Sequence, residues 1–227
     1  MRTDSGPRRS AAGRPAGPQP AKRQAILEAA VAVFLREGYN RASVDVIADE
    51  ARVSKQTVYN HFGDKERLFI AAVEEERERV AAGFAAGSPY VLGPDGAANA
   101  EAYDGGDARA ALIAFGHRVL AVLLDERASA LRRLVIAEVA RHPSLRPACA
   151  EGEPQQLVKY LAEMLGRRSR RGELSVPDPA AAAHQFVALV VQQGLYQSMY
   201  GTRPLADDEA AAIYESAADL LVRAYRP

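Results

Sequence analysis

The stretch SVDVIADEARVSKQTVYNHFGDKERLF, residues 43–69, decides the fold of this chain. Ser43 precedes a short helical pattern whose inward positions are Val44, Ile47 and Ala48, and Ser54 precedes a second. Asp64 is placed to cap a third, much longer helix. Two short helices joined by a tight turn predict a DNA-binding helix-turn-helix, whose second helix enters the major groove.

The same segment resembles the operator-binding segment of the TetR family of bacterial transcriptional regulators, from about residue 25 to residue 69. Its most specific part is VSKQTVYNHFGDKERLF, in which Tyr59, His61, Phe62 and Lys65 stand where that family carries them. The resemblance implies a homodimer, most often a repressor, that a small-molecule ligand releases from a palindromic operator in double-stranded DNA.

Charge and composition agree with a soluble DNA-binding protein. The formal net charge is zero over 227 residues, but residues 1–63 carry ten Lys and Arg against six Asp and Glu. A basic N-terminal end is expected of a chain that meets phosphate there. Cys149 is the single cysteine, and no apolar run approaches the ~20 residues of a membrane span. Arg8 and Arg9 are followed by no apolar segment of an export signal, so we expect a cytoplasmic protein.

The sequence predicts an all-α fold for the whole chain. We predict a disordered basic arm at 1–20, a helix-turn-helix domain at 21–67 and a helical regulatory and dimerisation domain at 68–227. A long helix from Asp64 to about Ala86 links the two domains, and its run of Glu74, Glu75, Glu76 and Glu78 is interpreted as a solvated face. Residues 87–107 are rich in Gly, Pro, Asn and Asp and predict a loop. The arm is either an inert tail or a source of further phosphate or minor-groove contacts.

The N-terminal residues of a recognition helix face base edges. Lys55, Gln56 and Thr57 are therefore the predicted base contacts, with Val58 pointing inward. The predicted phosphate contacts, several of them implied by the resemblance, are Ser43, Arg52, Ser54, Tyr59, His61 and Lys65.

Arg52 departs from the resemblance, because the family usually has glycine in the turn before the recognition helix. A left-handed backbone costs a residue with a Cβ roughly 1 kcal/mol. Arg52 is expected either to adopt another turn geometry or to contribute a phosphate contact.

The resemblance places a ligand pocket and a dimer interface in the C-terminal half. Arg118 and Glu138 each interrupt the apolar stripe of a predicted helix. They are expected to form either an ion pair with each other or two polar contacts for a ligand in an apolar cavity. The full predicted pocket set is Phe115, Arg118, Val122, Leu134, Glu138, Met164, Phe186, Gln193 and Tyr196. The predicted dimer interface, on two helices that are apolar on most sides, is Val187, Val191, Gly194, Ile213, Leu220 and Leu221.

Two rival functions remain open from the sequence. One is a DNA-binding regulator without small-molecule input. The other is a helical-bundle enzyme, which the sequence disfavours because it has no HExxH motif, no Glu-x-x-His pair, no Gly-rich phosphate loop and no nucleophile elbow. We therefore expect no catalytic residues, no metal and no cofactor.

Overall fold

The computed structural model describes residues 20–86, 106–146 and 155–227, and within these ranges the secondary structure is helical. Residues 1–19 of the predicted arm and residues 87–105 of the predicted loop lie outside the described residues, whereas Pro20 begins α1. The helices are α1 (Pro20–Glu37), α2 (Val44–Glu50), α3 (Lys55–Phe62), α4 (Lys65–Ala86), α5 (Ala108–Leu123), α6 (Glu126–Val139), α7 (Gln155–Arg170), α8 (Pro179–Gln197) and α9 (Asp207–Ala224), with a 3₁₀ turn at Pro143–Leu145. The all-α prediction is confirmed.

The three caps of the helix-turn-helix form as their residue types predict. The Ser43 side chain accepts a hydrogen bond from the backbone N–H of Asp45, and Ser54 accepts one from Thr57. Asp64 accepts one from the N–H of Arg67 at 2.7 Å. Each cap satisfies a backbone donor that the first turn of a helix leaves unpaired, so the ends of these helices are set locally.

The turn before α3 keeps the left-handed geometry despite its arginine. Arg52 has φ +53°, and its side chain is exposed. The expectation of another turn geometry is therefore wrong. The N–H groups of Arg52 and Val53 bond the carbonyls of Asp49 and Ala48 at 3.1 and 3.0 Å, and these bonds offset the unfavourable backbone conformation.

An aromatic cluster forms the centre of the N-terminal core. The Phe34 and Phe69 rings meet edge to face with centroids 4.9 Å apart, and Tyr39 lies 5.0 Å from Phe69. This core also takes in Leu131 and Val135 of α6. One face of α6 is therefore part of the N-terminal core, although the whole helix was predicted to belong to the regulatory domain.

The acidic run on α4 is not wholly solvated, so that interpretation was wrong for one residue. Glu76 is buried, and its carboxylate accepts hydrogen bonds from Arg79 at 2.6 and 2.9 Å. Arg127, in the first turn of α6, lies 3.0 Å from the same carboxylate. Arg79 also contacts Asp125, the cap of α6, at 3.0 Å. A buried carboxylate needs such partners, and here they tie α4 to the start of α6.

Helices α5, α7, α8 and α9 enclose a second core. Two glycines allow close helix approach: a Cβ at Gly116 would lie 2.5 Å from the Cβ of Tyr214 on α9, and one at Gly194 would lie 2.4 Å from Leu120. Arg168 of α7 is fully buried and donates to the Glu173 carboxylate and to the carbonyl of Gly106, so it joins α7 to the residues that precede α5.

Candidate operator-binding surface

The first turn of α3 presents the three predicted base contacts on the surface. Lys55 and Gln56 are exposed and Thr57 is half-buried. Val58 and Phe62 are buried and hold the helix against its support, as predicted for Val58. The Gln56 amide donates to the Asn60 side chain at 2.9 Å, and the hydroxyls of Thr57 and Ser54 share a hydrogen bond of 2.8 Å.

Lys55 already has an acidic partner on α2. Its ammonium donates to the Asp45 carboxylate at 2.9 Å, and this hydrogen bond raises the pKa of Lys55. The pair is exposed, so it contributes little stability. Asp45 therefore orients Lys55 beside the first turn of α3, a role that the sequence analysis missed because the two residues are ten positions apart.

The predicted phosphate contacts fall into two groups. Ser43 and Ser54 sit at the N-termini of α2 and α3, where free N–H groups attract anions. The remaining residues are the exposed Arg52 and Tyr59, the half-buried His61 and Lys65 at the start of α4. The structure thus places all six around the helix-turn-helix, and their contact with phosphate stays a prediction.

Lys65 is held by the loop between α1 and α2. Its ammonium donates to the backbone carbonyl of Asn40 at 3.1 Å and lies 4.8 Å from the centroid of the Tyr39 ring. Burial lowers the pKa of Lys65, and the Glu138 carboxylate partly opposes that shift.

Asn40 is a further residue of this surface that the sequence analysis did not identify. Its side-chain amide donates to the Glu138 carboxylate of α6 at 2.9 Å, and its amide oxygen lies 3.1 Å from His142 Nε2. Glu138 and His142 are about a hundred positions further along the chain, so no local pattern predicts the contact.

Comparisons with known proteins agree with this geometry. Residues 26–72 match the family model described as bacterial regulatory proteins of the tetR family. Residues 110–227, more than half of the chain, match the model of the C-terminal domain of AefR-like transcriptional repressors. The chain belongs to the TetR family.

Three similar proteins illustrate the relationship. The activator FasR of Mycolicibacterium smegmatis is 37% identical over 81 residues, which are 34% of this chain and 37% of FasR. The chain thus spans about a third of that relative's length. A TetR-family structure from Mesorhizobium loti is 27% identical, with 92% of this chain and all of that chain covered and a TM-score of 0.75. The flavonoid-responsive regulator FrrA is 26% identical, with 91% and 97% covered and a TM-score of 0.65.

A surface groove in the C-terminal domain of this TetR-family protein lies beside α5 and α9. Its volume is about 550 Å³. Its lining combines apolar, acidic, basic and aromatic side chains, and the lining residues are Asp107, Arg109, Ala110, Ile113, Ala114, His117, Arg118 and Tyr214. Arg109 is engaged by Asp219 at 2.6 Å, and the His117 ring meets the Tyr214 ring edge to face at 5.8 Å.

The predicted ligand pocket is not one site in this regulator. Arg118 lines the groove, whereas Leu134 and Glu138 pack with the DNA-binding core or contact Asn40. Glu138 therefore does not lie beside Arg118, because the face of α6 that carries Glu138 is directed toward α1. The other predicted residues divide into two groups. Phe115, Met164 and Phe186 are buried together in the second core and Val122 packs on it, whereas Gln193 is half-buried and Tyr196 is exposed.

The predicted dimer interface needs a similar correction. Val187, Gly194, Ile213 and Leu221 are buried inside the protomer, where helices α5, α8 and α9 pack on one another, so they are not available to a second protomer. Val191 is half-buried and Leu220 is 52% exposed. The outward faces of α8 and α9 also carry Tyr196, which is 76% exposed.

Two kinds of feature are absent from the described residues of this TetR-family chain. None of the helices in the three described ranges combines the length and apolar character needed to cross a lipid bilayer. Over the same ranges, no three His, Cys, Asp or Glu side chains gather in a way that could hold a metal ion. Cys149 lies outside those ranges.

Proposed function

We propose that this TetR-family transcriptional regulator binds a palindromic operator with α3 in the major groove and represses the genes next to it. The observation that carries the proposal is that the first turn of α3, on a helix anchored by buried Val58, presents exposed Lys55 and Gln56 beside half-buried Thr57. Lysine donates to guanine, glutamine pairs with adenine, and threonine contacts a thymine methyl or offers its hydroxyl. Repression follows the description of the family model that matches the C-terminal half.

The operator contact is completed by phosphate contacts from both sides of α3. Ser43 lies at the N-terminus of α2, Ser54 at that of α3 and Lys65 at the start of α4. Arg52 lies in the turn before α3, and Tyr59 and His61 lie in the second half of α3. Phosphate contacts set the register of a protein on DNA and carry no sequence information themselves. Base specificity therefore rests on the first turn of α3.

Two recognition helices are needed for a palindromic operator, so a homodimer is part of the proposal. The exposed Leu220 and Tyr196, with half-buried Val191, give α8 and α9 an outward apolar surface. Pairing of two copies through these helices presents two α3 helices to half-sites about one DNA turn apart.

A small-molecule effector is the final part of the proposal. The groove beside α5 offers apolar surface together with Arg118, His117 and Tyr214, which suits an aromatic or acidic amphipathic compound. A ligand releases DNA only to the extent that it binds the released conformation more tightly. FrrA is named as flavonoid-responsive, so flavonoids are the first probes.

Gln56→Ala is expected to weaken binding to the operator by about 5- to 150-fold, because a bidentate base contact contributes about 1–3 kcal/mol. Binding to random duplex should change by less than about twofold. The operator is first selected from randomised duplexes, and both affinities are then measured by fluorescence anisotropy.

The control for Gln56→Ala is Gln24→Ala. Gln24 is also an exposed glutamine of the DNA-binding domain that bonds a side chain four positions on. Its loss should leave the operator affinity unchanged. An unchanged ratio of operator to random affinity in Gln56→Ala would show that α3 does not read bases through this residue.

A flavonoid that acts as effector is expected to lower operator affinity by at least about tenfold, as typical allosteric couplings do. The measurement titrates the compound into the protein–operator complex and follows anisotropy, with Tyr214→Ala as the groove variant. Equal operator affinity with and without every compound tested would favour a DNA-binding regulator without small-molecule input. That outcome leaves the operator contact itself standing.

A further inference from the structure

Asn40 makes three hydrogen bonds that point in two directions. Its side chain bonds Glu138 of α6 at 2.9 Å and His142, three residues past the end of α6, at 3.1 Å. Its backbone carbonyl accepts from Lys65 at 3.1 Å. Asn40 therefore contacts both α6 and Lys65, the predicted phosphate-binding lysine.

The two ends of this contact chain differ in how firmly they are held. Glu138 is buried, and it is fixed by Asn40 and by His142, whose Nε2 lies 3.8 Å from the carboxylate. Tyr39, next to Asn40, is also buried and its ring meets the His142 ring at 5.0 Å. Lys65 is only half-buried, and its ammonium is held by one backbone carbonyl and one aromatic ring. The contacts with α6 are therefore the fixed part of this chain, and Lys65 is the residue whose position can change when α6 moves.

The geometry matters for phosphate binding because a lysine ammonium is a flexible point charge. Holding that charge in one place before DNA arrives lowers the entropy lost on binding. The Asn40 carbonyl and the Tyr39 ring hold it here, and the position of that carbonyl depends on where α6 holds the Asn40 side chain.

We infer that Asn40 is a positioning residue that couples α6 to operator affinity, by holding the Lys65 ammonium where it meets a DNA phosphate. This inference rests on the proposed operator binding and on Lys65 as a phosphate contact. A shift of α6 that breaks the Asn40–Glu138 bond releases the carbonyl and weakens the phosphate contact, while base reading by α3 stays unchanged.

A double-mutant cycle on random-sequence duplex tests the link from Asn40 to Lys65. Asn40→Ala in the otherwise native chain is expected to weaken binding by about fivefold, and by less than about twofold when Lys65→Ala is already present. Lys65→Ala alone should weaken binding by about fivefold and reduce the salt slope by about one per protomer. Asn40 is exposed, and circular dichroism at the assay temperature checks that each variant is folded.

A matched exchange tests the link from Glu138 to Asn40. Asn40→Asp alone sets two carboxylates against each other and should weaken binding. Asn40→Asp combined with Glu138→Gln keeps one carboxylate and one amide, restores the hydrogen bond with its roles reversed, and should return affinity to within about twofold of the native protein. Glu163→Gln, on the exposed side of α7, is the control for a lost carboxylate and should change nothing.

The outcomes separate the inference from the proposed function. An equal effect of Asn40→Ala with and without Lys65 overturns the coupling, and so does an exchange variant as weak as Asn40→Asp alone. If Lys65→Ala leaves the affinity for random duplex unchanged, both the coupling and the Lys65 phosphate contact are wrong. The operator specificity measured with Gln56→Ala is independent of all these results.

Discussion

Phe69→Ala is expected to lower the free energy of unfolding by about 3–5 kcal/mol, the range for truncating a buried phenylalanine. The Phe69 ring is fully buried and packs on Phe34 and Tyr39 at 4.9 and 5.0 Å. Its removal leaves a cavity in the core that supports both α3 and the loop of Asn40. Operator binding should be lost with the fold, since the total free energy of unfolding of a native protein is only about 5–15 kcal/mol.

Urea unfolding followed by circular dichroism measures this effect, together with DNA binding at a temperature where the native protein is stable. Phe69→Leu is the matched variant, because it keeps most of the apolar volume and should cost clearly less. A loss below about 1 kcal/mol in Phe69→Ala would mean that the aromatic cluster does not carry the stability of the DNA-binding core.

Arg168→Ala is expected to cost about 3 kcal/mol, comparable to breaking other buried ion pairs. The side chain is fully buried, and its guanidinium donates to the Glu173 carboxylate and to the Gly106 carbonyl at 3.2 Å. Its loss leaves a cavity beside α7 and removes a charged partner from Glu173. The second core should therefore unfold more easily in Arg168→Ala than in the native chain.

Two further variants show which part of Arg168 matters. Arg170→Ala removes an exposed arginine from the same helix end and should change stability by less than about 0.5 kcal/mol. Arg168→Met keeps most of the buried volume without the charge and should cost less than Arg168→Ala. Equal stability of Arg168→Ala and Arg170→Ala in urea would contradict the structural role of the buried guanidinium.

Much of the DNA-binding domain could be predicted because its signals are local. Ser43, Ser54 and Asp64 cap their helices within three residues of their own position, and Val58 is buried by its place in the helical period. Arg52 shows the limit of such rules. The turn keeps its left-handed residue because hydrogen bonds around it hold that backbone, and these bonds outweigh the preference of arginine for another conformation.

The contacts that the sequence analysis missed or misassigned join residues far apart in the chain. Glu76 was interpreted as solvated, yet it is buried where α4 meets Arg127 at the start of α6. Glu138 was assigned to a ligand pocket, yet it faces Asn40. The apolar residues Val187 and Ile213 were assigned to a dimer interface, but packing within the protomer buries them first. Periodicity identifies a buried face without identifying what covers it.

The sequence by itself determined the all-α class, the capped helix-turn-helix and the family, because caps, helical period and the YNHFGDKERLF motif depend on neighbours in the chain. Only the tertiary structure decided which core each helix joins, where Glu138 points and that Asn40 lies between α6 and Lys65. Those facts depend on distances between residues from 25 to 98 positions apart, and such distances follow from how the helices pack rather than from any local pattern.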